Sequence, residues 1–158
     1  MIDMDNVKTW TTADFDTMSW YDNHFHGMKL EAGDYGSGEL FFDLDYILEW
    51  DCKDDANVRF HLAPAVLQFH EVSALKIMLD YASPTAALGP FSIDGIEREI
   101  EQRERYDAQI WEILVNWPVG KIIFESSGFI QKLTGDIHVK SEQYLEPSER
   151  KMNKKDRN

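Results

Sequence analysis

Residues 20–28, Trp-Tyr-Asp-Asn-His-Phe-His-Gly-Met, hold the densest group of side chains that could do chemistry. In an extended segment, Asp22, His24 and His26 point to the same side, because strand side chains alternate with a period of two. A His-x-His pair on a strand can bind Zn²⁺ or Fe²⁺ when a third ligand comes from a neighbouring strand. One interpretation is therefore a metal site formed by His24, His26 and a third ligand. Asp43, Asp45 or His61 could supply that ligand, and we choose His61. The other interpretation is that this strand face is wet and structural, or faces a partner.

A second group lies in Asp43-Leu44-Asp45, where two carboxylates share one strand face. Paired carboxylates serve general acid–base chemistry, and they also attract Lys and Arg side chains of a partner. A solvated strand face would explain them equally well. We prefer the partner interpretation. It predicts an acidic, partner-binding face composed of Asp22, Asp43, Asp45 and Glu49.

The motifs of the common enzyme classes are absent from the sequence. It holds no Gly-x-Ser-x-Gly nucleophile elbow, no phosphate-binding loop and no dinucleotide fingerprint. Cys52 is the single cysteine, which excludes an internal disulfide and fits a reducing compartment. No apolar run approaches the roughly 20 residues that cross a bilayer, and the first residues lack a cationic start. We expect a cytoplasmic protein that does not bind membranes.

The charge of the chain is strongly negative and unevenly distributed. The formal net charge of the 158 residues is −13, although residues 151–158 contain four Lys or Arg and a single Asp. The acidic residues 1–150 repel phosphate backbones and anionic lipid, so we expect no nucleic-acid partner. They would attract a basic protein, unless the acidic charge serves solubility alone.

Strands must position these side chains, because the apolar residues recur with a period of two. Leu40, Phe42, Leu44 and Tyr46 alternate with acidic residues, after a turn-rich stretch at residues 32–38. We expect a mainly β protein with about eight antiparallel strands and one short N-terminal helix at residues 11–18, capped by Thr12. The sheet should be curved, or split into a two-sheet sandwich. Residues 1–140 should form a single domain, and residues 141–158 a charged, mobile C-terminal tail.

Four finer predictions concern single elements. The strand that begins at Val58 should stop at Pro64. Residues 91–105 fit either a helix or a strand, and we predict a strand with a bulge near Gly95. Residues 121–134 should fold as a hairpin about residues 126–128. We also expect four tryptophans to lie in the core, since most alternate in step with aliphatic residues: Trp20, Trp50, Trp111 and Trp117. The alternative is that some of them form an exposed aromatic patch for a protein partner.

Four stretches resemble a family of uncharacterised bacterial proteins of similar length. They are residues 18–27, 42–50, 60–69 and 89–99, and the resemblance covers most of residues 8–135. That family has no established activity, so the resemblance implies no catalytic residue. In size, charge and strand content the chain is also loosely similar to immunity proteins of polymorphic toxin systems.

These observations favour a non-enzymatic binding protein that engages a basic protein partner through the acidic face, in the manner of an immunity protein. The alternative is a metal-dependent enzyme or small-ligand binder that uses His24 and His26 on a curved sheet. The first hypothesis requires no cofactor, and the second requires Zn or Fe. Either a monomer or a homodimer fits the sequence.

Overall fold

The computed structural model describes residues 8–53, 56–82 and 87–150. The protein is mainly β, as predicted, with one short 3₁₀ helix at Thr12–Thr17. The strands are β1 Thr9–Thr11, β2 His24–Ala32, β3 Gly38–Asp51, β4 Arg59–Leu79, β5 Phe91–Gln102, β6 Asp107–Trp117, β7 Val119–Glu125, β8 Gly128–Leu133 and β9 His138–Lys140.

The nine strands of the described residues belong to one antiparallel sheet that curves into a ring. The strand order is β1-β8-β4-β3-β2-β5-β6-β7, and β7 also pairs with the far end of β4. The curved sheet is thereby confirmed, and the sandwich alternative is not what forms. Short connections between successive strands favour the antiparallel pairing.

The prediction that a strand stops at Pro64 is wrong, because β4 continues through it to Leu79. The carbonyl oxygen of Pro64 accepts a hydrogen bond from Thr134 N at 2.8 Å, on the side of β4 where β9 gives way to β8. A strand residue directs its C=O and its N–H to the same side. The N–H that Pro64 lacks would therefore face the junction between two partner strands, where a proline costs least.

The predicted hairpin about residues 126–128 is also wrong. Strands β7 and β8 do not pair with each other among the described residues; β8 pairs with residues 65–70 of β4 and β7 with residues 73–79. The strand conformation of β4 is interrupted here by positive φ angles at Glu71, between the two segments, and at Ala74, in a register shift of the pairing with β7. The hydroxyl of Ser126 donates a hydrogen bond to His70 O at 2.6 Å and ties the connection to this part of β4.

The ambiguous region forms a strand, as predicted, and its pairing with β6 is shifted on both sides of Ile93, next to Gly95. The N-terminal helix is confirmed, but it is a 3₁₀ helix and its N-cap is Thr11 rather than Thr12. Thr12 instead accepts a hydrogen bond from Phe129 N at 2.8 Å. No helix in the described part of the chain is long and apolar enough to span a membrane.

The main core fills the inside of the ring. Trp20 and Trp111 lie in it, but Trp50 and Trp117 are 42% and 53% exposed, contrary to the prediction. Trp50 follows a register shift after Ile47, and another register shift separates Trp117, the last residue of β6, from the buried Val115. The aromatic and aliphatic residues buried in this core are Trp20, Phe25, Leu40, Phe42, Leu44, Tyr46, Ala65, Leu67, Phe69, Val72, Phe91, Ile93, Trp111, Ile113, Val115, Ile122, Phe124 and Phe129.

Candidate functional site

Strands β2 and β3 place the predicted site residues next to one another on the outer face of the ring. His24 lies opposite Asp45 and Gly27 lies opposite Asp43, with a register shift between them. His26 is therefore the additional residue of a bulge, a feature that often redirects a side chain. Its Nε2 lies 2.7 Å from Asp45 Oδ2. Because an ionised carboxylate can only accept, the imidazole donates this hydrogen bond.

Asp45 is fully buried, although it occupies an outward position of β3. Its Oδ2 also accepts a hydrogen bond from the backbone N–H of Leu145 at 2.9 Å, and its Oδ1 pairs with the guanidinium of Arg150. A buried carboxylate is tolerated when it is both paired and hydrogen-bonded, as here. Its oxygens are occupied, so Asp45 is not a free general base.

Residues 143–150 lie over Asp45, and we call this segment the strap. Arg150 bridges Asp45 and Asp43, and Gln143 donates a hydrogen bond to Asp22 Oδ2 at 3.1 Å. Leu145 is buried in a small second cluster with Ile47, Phe60 and Leu62. The first part of the predicted tail thus packs on the acidic face, while residues 151–158 lie outside the described residues and their mobility stays a prediction.

Glu149 holds the strap in its folded shape. Its carboxylate pairs with Lys140 Nζ at 2.6 Å and accepts a hydrogen bond from Glu146 N at 2.9 Å. The hydrogen bond from Lys140 is the main reason that the pKa of Glu149 lies below its usual value. Lys140 is the last residue of β9, so the Glu149–Lys140 ion pair fixes the strap relative to the sheet.

Burial lowers the pKa of both histidines of the predicted metal pair. For His24 burial is the largest effect, although a hydrogen bond with the backbone of Gln143 raises the pKa. For His26 burial is again the largest effect and the charge of Arg150 adds to it, while Asp43 acts in the opposite direction. Burial therefore favours the neutral form of both imidazoles. The ring of His24 packs against Tyr144 of the strap, with centroids 5.6 Å apart.

The other predicted residues are not all brought together. Glu49 is exposed and lies opposite His61, beyond the register shift in β3. The Nε2 of His61 lies 4.0 Å from Asp51 Oδ2. Within the described ranges, no three His, Cys, Asp or Glu side chains group as metal ligands. The site of His24, His26 and His61 therefore stays a prediction that the observed pairings do not favour.

The predicted face omitted the residues of the strap that complete it. Gln143, Leu145 and Arg150 lie in a polar stretch with no strand periodicity. The one signal in the sequence is the apolar pair Tyr144-Leu145 within that stretch, which marks a point of burial. Chemically, the carboxylates of the assembled site bind the guanidinium of Arg150 and the backbone N–H of Leu145, both from the strap.

The chain matches no protein-family model, and the comparisons with curated proteins and with solved structures found no similar protein. The resemblance to an uncharacterised bacterial family and to immunity proteins stays an expectation from the sequence.

Proposed function

We propose that the protein is a non-enzymatic binding protein whose acidic face engages arginine or lysine side chains of a basic protein partner. The observation that carries this proposal is the pairing of Arg150 with Asp43 and Asp45. The two carboxylates that bind the guanidinium of Arg150 have the geometry and the charge to bind an arginine side chain of a partner. Asp43 and Glu49 remain exposed at the edge of this site, where a partner can reach them.

The charge of the whole chain supports the same partner class. A net charge of −13 steers basic proteins toward the surface and raises their association rate. The likeness to immunity proteins suggests a toxin with a basic surface as one such partner. A toxin-like reading frame next to the gene would support this finer proposal.

The test is capture of partners from a lysate of the source cell with the full chain as bait. Charge reversal of the exposed acids, in an Asp43→Lys, Glu49→Lys double variant, should reduce capture of a specific basic protein at least tenfold. The matched control is Glu97→Lys with Glu99→Lys, which changes the net charge equally at two exposed positions of β5. Quantitative mass spectrometry gives the readout. Equal losses in the two variants would show that net charge alone attracts the protein, and unchanged capture by both would contradict the proposed face.

A further inference from the structure

The strap is attached to the ring by side chains rather than by strand pairing. Among the described residues, no backbone-to-backbone hydrogen bond joins residues 143–150 to a strand; the hydrogen bonds between backbone groups of the strap run from Glu149 to Glu146 and from Arg150 to Pro147. The strap contacts the ring through the guanidinium of Arg150, the side chain of Gln143 and both the N–H and the side chain of Leu145. The ring of Tyr144 packs on His24, and Lys140 of β9 binds the carboxylate of Glu149 and the carbonyl oxygen of Tyr144. The strap can therefore leave without breaking a sheet ladder.

An open groove continues from the place where the strap ends. It encloses about 660 Å³, and Pro147 and Arg150 of the strap form part of its wall. Apolar side chains of three neighbouring strands form much of the remainder, and Lys29 and Asp43 complete its rim. The apolar residues of those strands are Met28, Phe41, Pro64 and Val66. An occupant longer than the strap would find an apolar surface directly beside the arginine site.

We propose that the acidic face under the strap and this groove form one binding site for an extended segment of a partner protein that carries an arginine beside apolar residues. The strap occupies the arginine half of the site until the partner replaces it. This inference rests on the proposed function. It specifies the chemistry of the partner segment and states that the strap controls access to the site. A second copy of the chain is the less suitable occupant, because two strongly acidic bodies repel each other.

The strap affects affinity through simple competition. A partner that binds only the open form has an apparent dissociation constant equal to the intrinsic one divided by the open fraction. Weakening the strap should consequently tighten binding even though no contact with the partner changes.

The experiment uses a labelled synthetic peptide of residues 141–150 as the stand-in for a partner segment. Its affinity for three full-length proteins is measured by fluorescence anisotropy: wild type, Arg150→Gln, and the control Arg105→Gln, which removes an exposed arginine outside the strap. We expect the peptide to bind the Arg150→Gln protein at least tenfold more tightly than the wild type or the control. A peptide with glutamine in place of its arginine should bind that variant at least tenfold more weakly.

Equal affinity of the peptide for all three proteins, or binding to none, would overturn the proposal. If Arg150→Gln does not fold, as judged by circular dichroism, Leu145→Ala is the second variant that opens the strap, with the same expectations. A molar mass of the opened variant that doubles in light scattering would identify a second copy as the occupant and would also overturn the proposed partner segment.

These outcomes are separate from those of the lysate experiment. If the peptide behaves as expected but the Asp43→Lys, Glu49→Lys variant captures the same proteins as the wild type, the proposed function fails and the strap site for an arginine segment is retained. If capture depends on Asp43 and Glu49 but the peptide does not distinguish Arg150→Gln from the wild type, the strap inference fails and the proposed function is retained.

Discussion

At the scale of single residues, Asp45 and Asp43 differ sharply although they share a strand face and one arginine. Asp45 is fully buried, whereas the side chain of Asp43 is 51% exposed. Charge interactions are strong where water is excluded and weak where it is present. Asp45 therefore anchors the strap in the folded structure, whereas Asp43 is accessible to a partner.

This difference predicts unequal effects of two isosteric substitutions. Asp45→Asn leaves Arg150 facing an amide and removes an acceptor from His26 or Leu145, so the free energy of unfolding should fall by about 3–5 kcal/mol. Asp43→Asn should lower it by less than about 1 kcal/mol, as for other exposed ion pairs. Urea denaturation of the two variants and the wild type measures both changes. Similar losses for the two variants would contradict the burial assigned to Asp45.

His26 illustrates how one added residue changes a site. The bulge in β2 places its imidazole against Asp45, where a regular strand would have left two histidines side by side. The residues that suggested a metal site are thus used in hydrogen bonds and packing with the strap.

At the scale of elements, the connection between β7 and β8 decides how the ring closes. Gly128 has a φ of +151°, and a Cβ at this position would lie 2.2 Å from Thr12 Oγ1. That hydroxyl accepts the N–H of Phe129, so it cannot move away without losing a hydrogen bond. The glycine is therefore required both by backbone conformation and by the close approach of the 3₁₀ helix.

We expect Gly128→Ala to lower the free energy of unfolding by about 1–3 kcal/mol, through strain at this φ and the clash with Thr12. Gly95→Ala is the matched control, because a Cβ at Gly95 meets nothing within 4 Å and should change stability by less than about 0.5 kcal/mol. Thermal denaturation of both variants gives the comparison. A neutral Gly128→Ala would mean that the connection takes another path.

Strand β4 is the element that organises the rest. It spans 21 residues and pairs with β3 along one edge and with β9, β8 and β7 in turn along the other. Its length was hidden in the sequence because a proline and two positive-φ residues interrupt the strand pattern. Pro64 and Glu71 lie where one partner strand ends and the next begins, and Ala74 lies in a register shift of the pairing with β7.

At the scale of the whole molecule, pH should act through the partly buried histidines of β2. The pKa of His24 in the folded state lies below 6.5, chiefly because of burial. Below about pH 6.5 the unfolded chain therefore binds more protons than the folded one, and the free energy of unfolding must decrease as the pH falls.

We expect the denaturation midpoint to decline from about pH 7.5 to pH 5.5, with about 1.4 kcal/mol lost per unit of pKa difference between the folded and unfolded states. His24→Gln should reduce this decline and leave the change between about pH 7.5 and pH 8.5 unaltered, since imidazoles are neutral there. Urea denaturation at each pH measures both slopes. An identical acid slope in the variant would exclude burial of His24 as a source of the pH dependence.

The sequence by itself determined the mainly β class, the antiparallel direction of pairing and the outward position of the acids, but not the length of β4 or the partners of β7 and β8. Local rules decide these features: side chains alternate with a period of two, and short connections reverse the chain. Particular residues carried the prediction, such as the alternation from Leu40 to Tyr46 and the bulge beside Gly95.

The tertiary structure alone decided what lies on the acidic face. Leu145 and Asp45 are 100 residues apart in the chain, and a short polar segment that docks through a few side chains has no periodicity to reveal its position. The closure of the ring and the burial of Asp45 likewise depend on long-range contacts. Their free energy comes from packing and charge pairing between distant segments, so no local pattern could specify them.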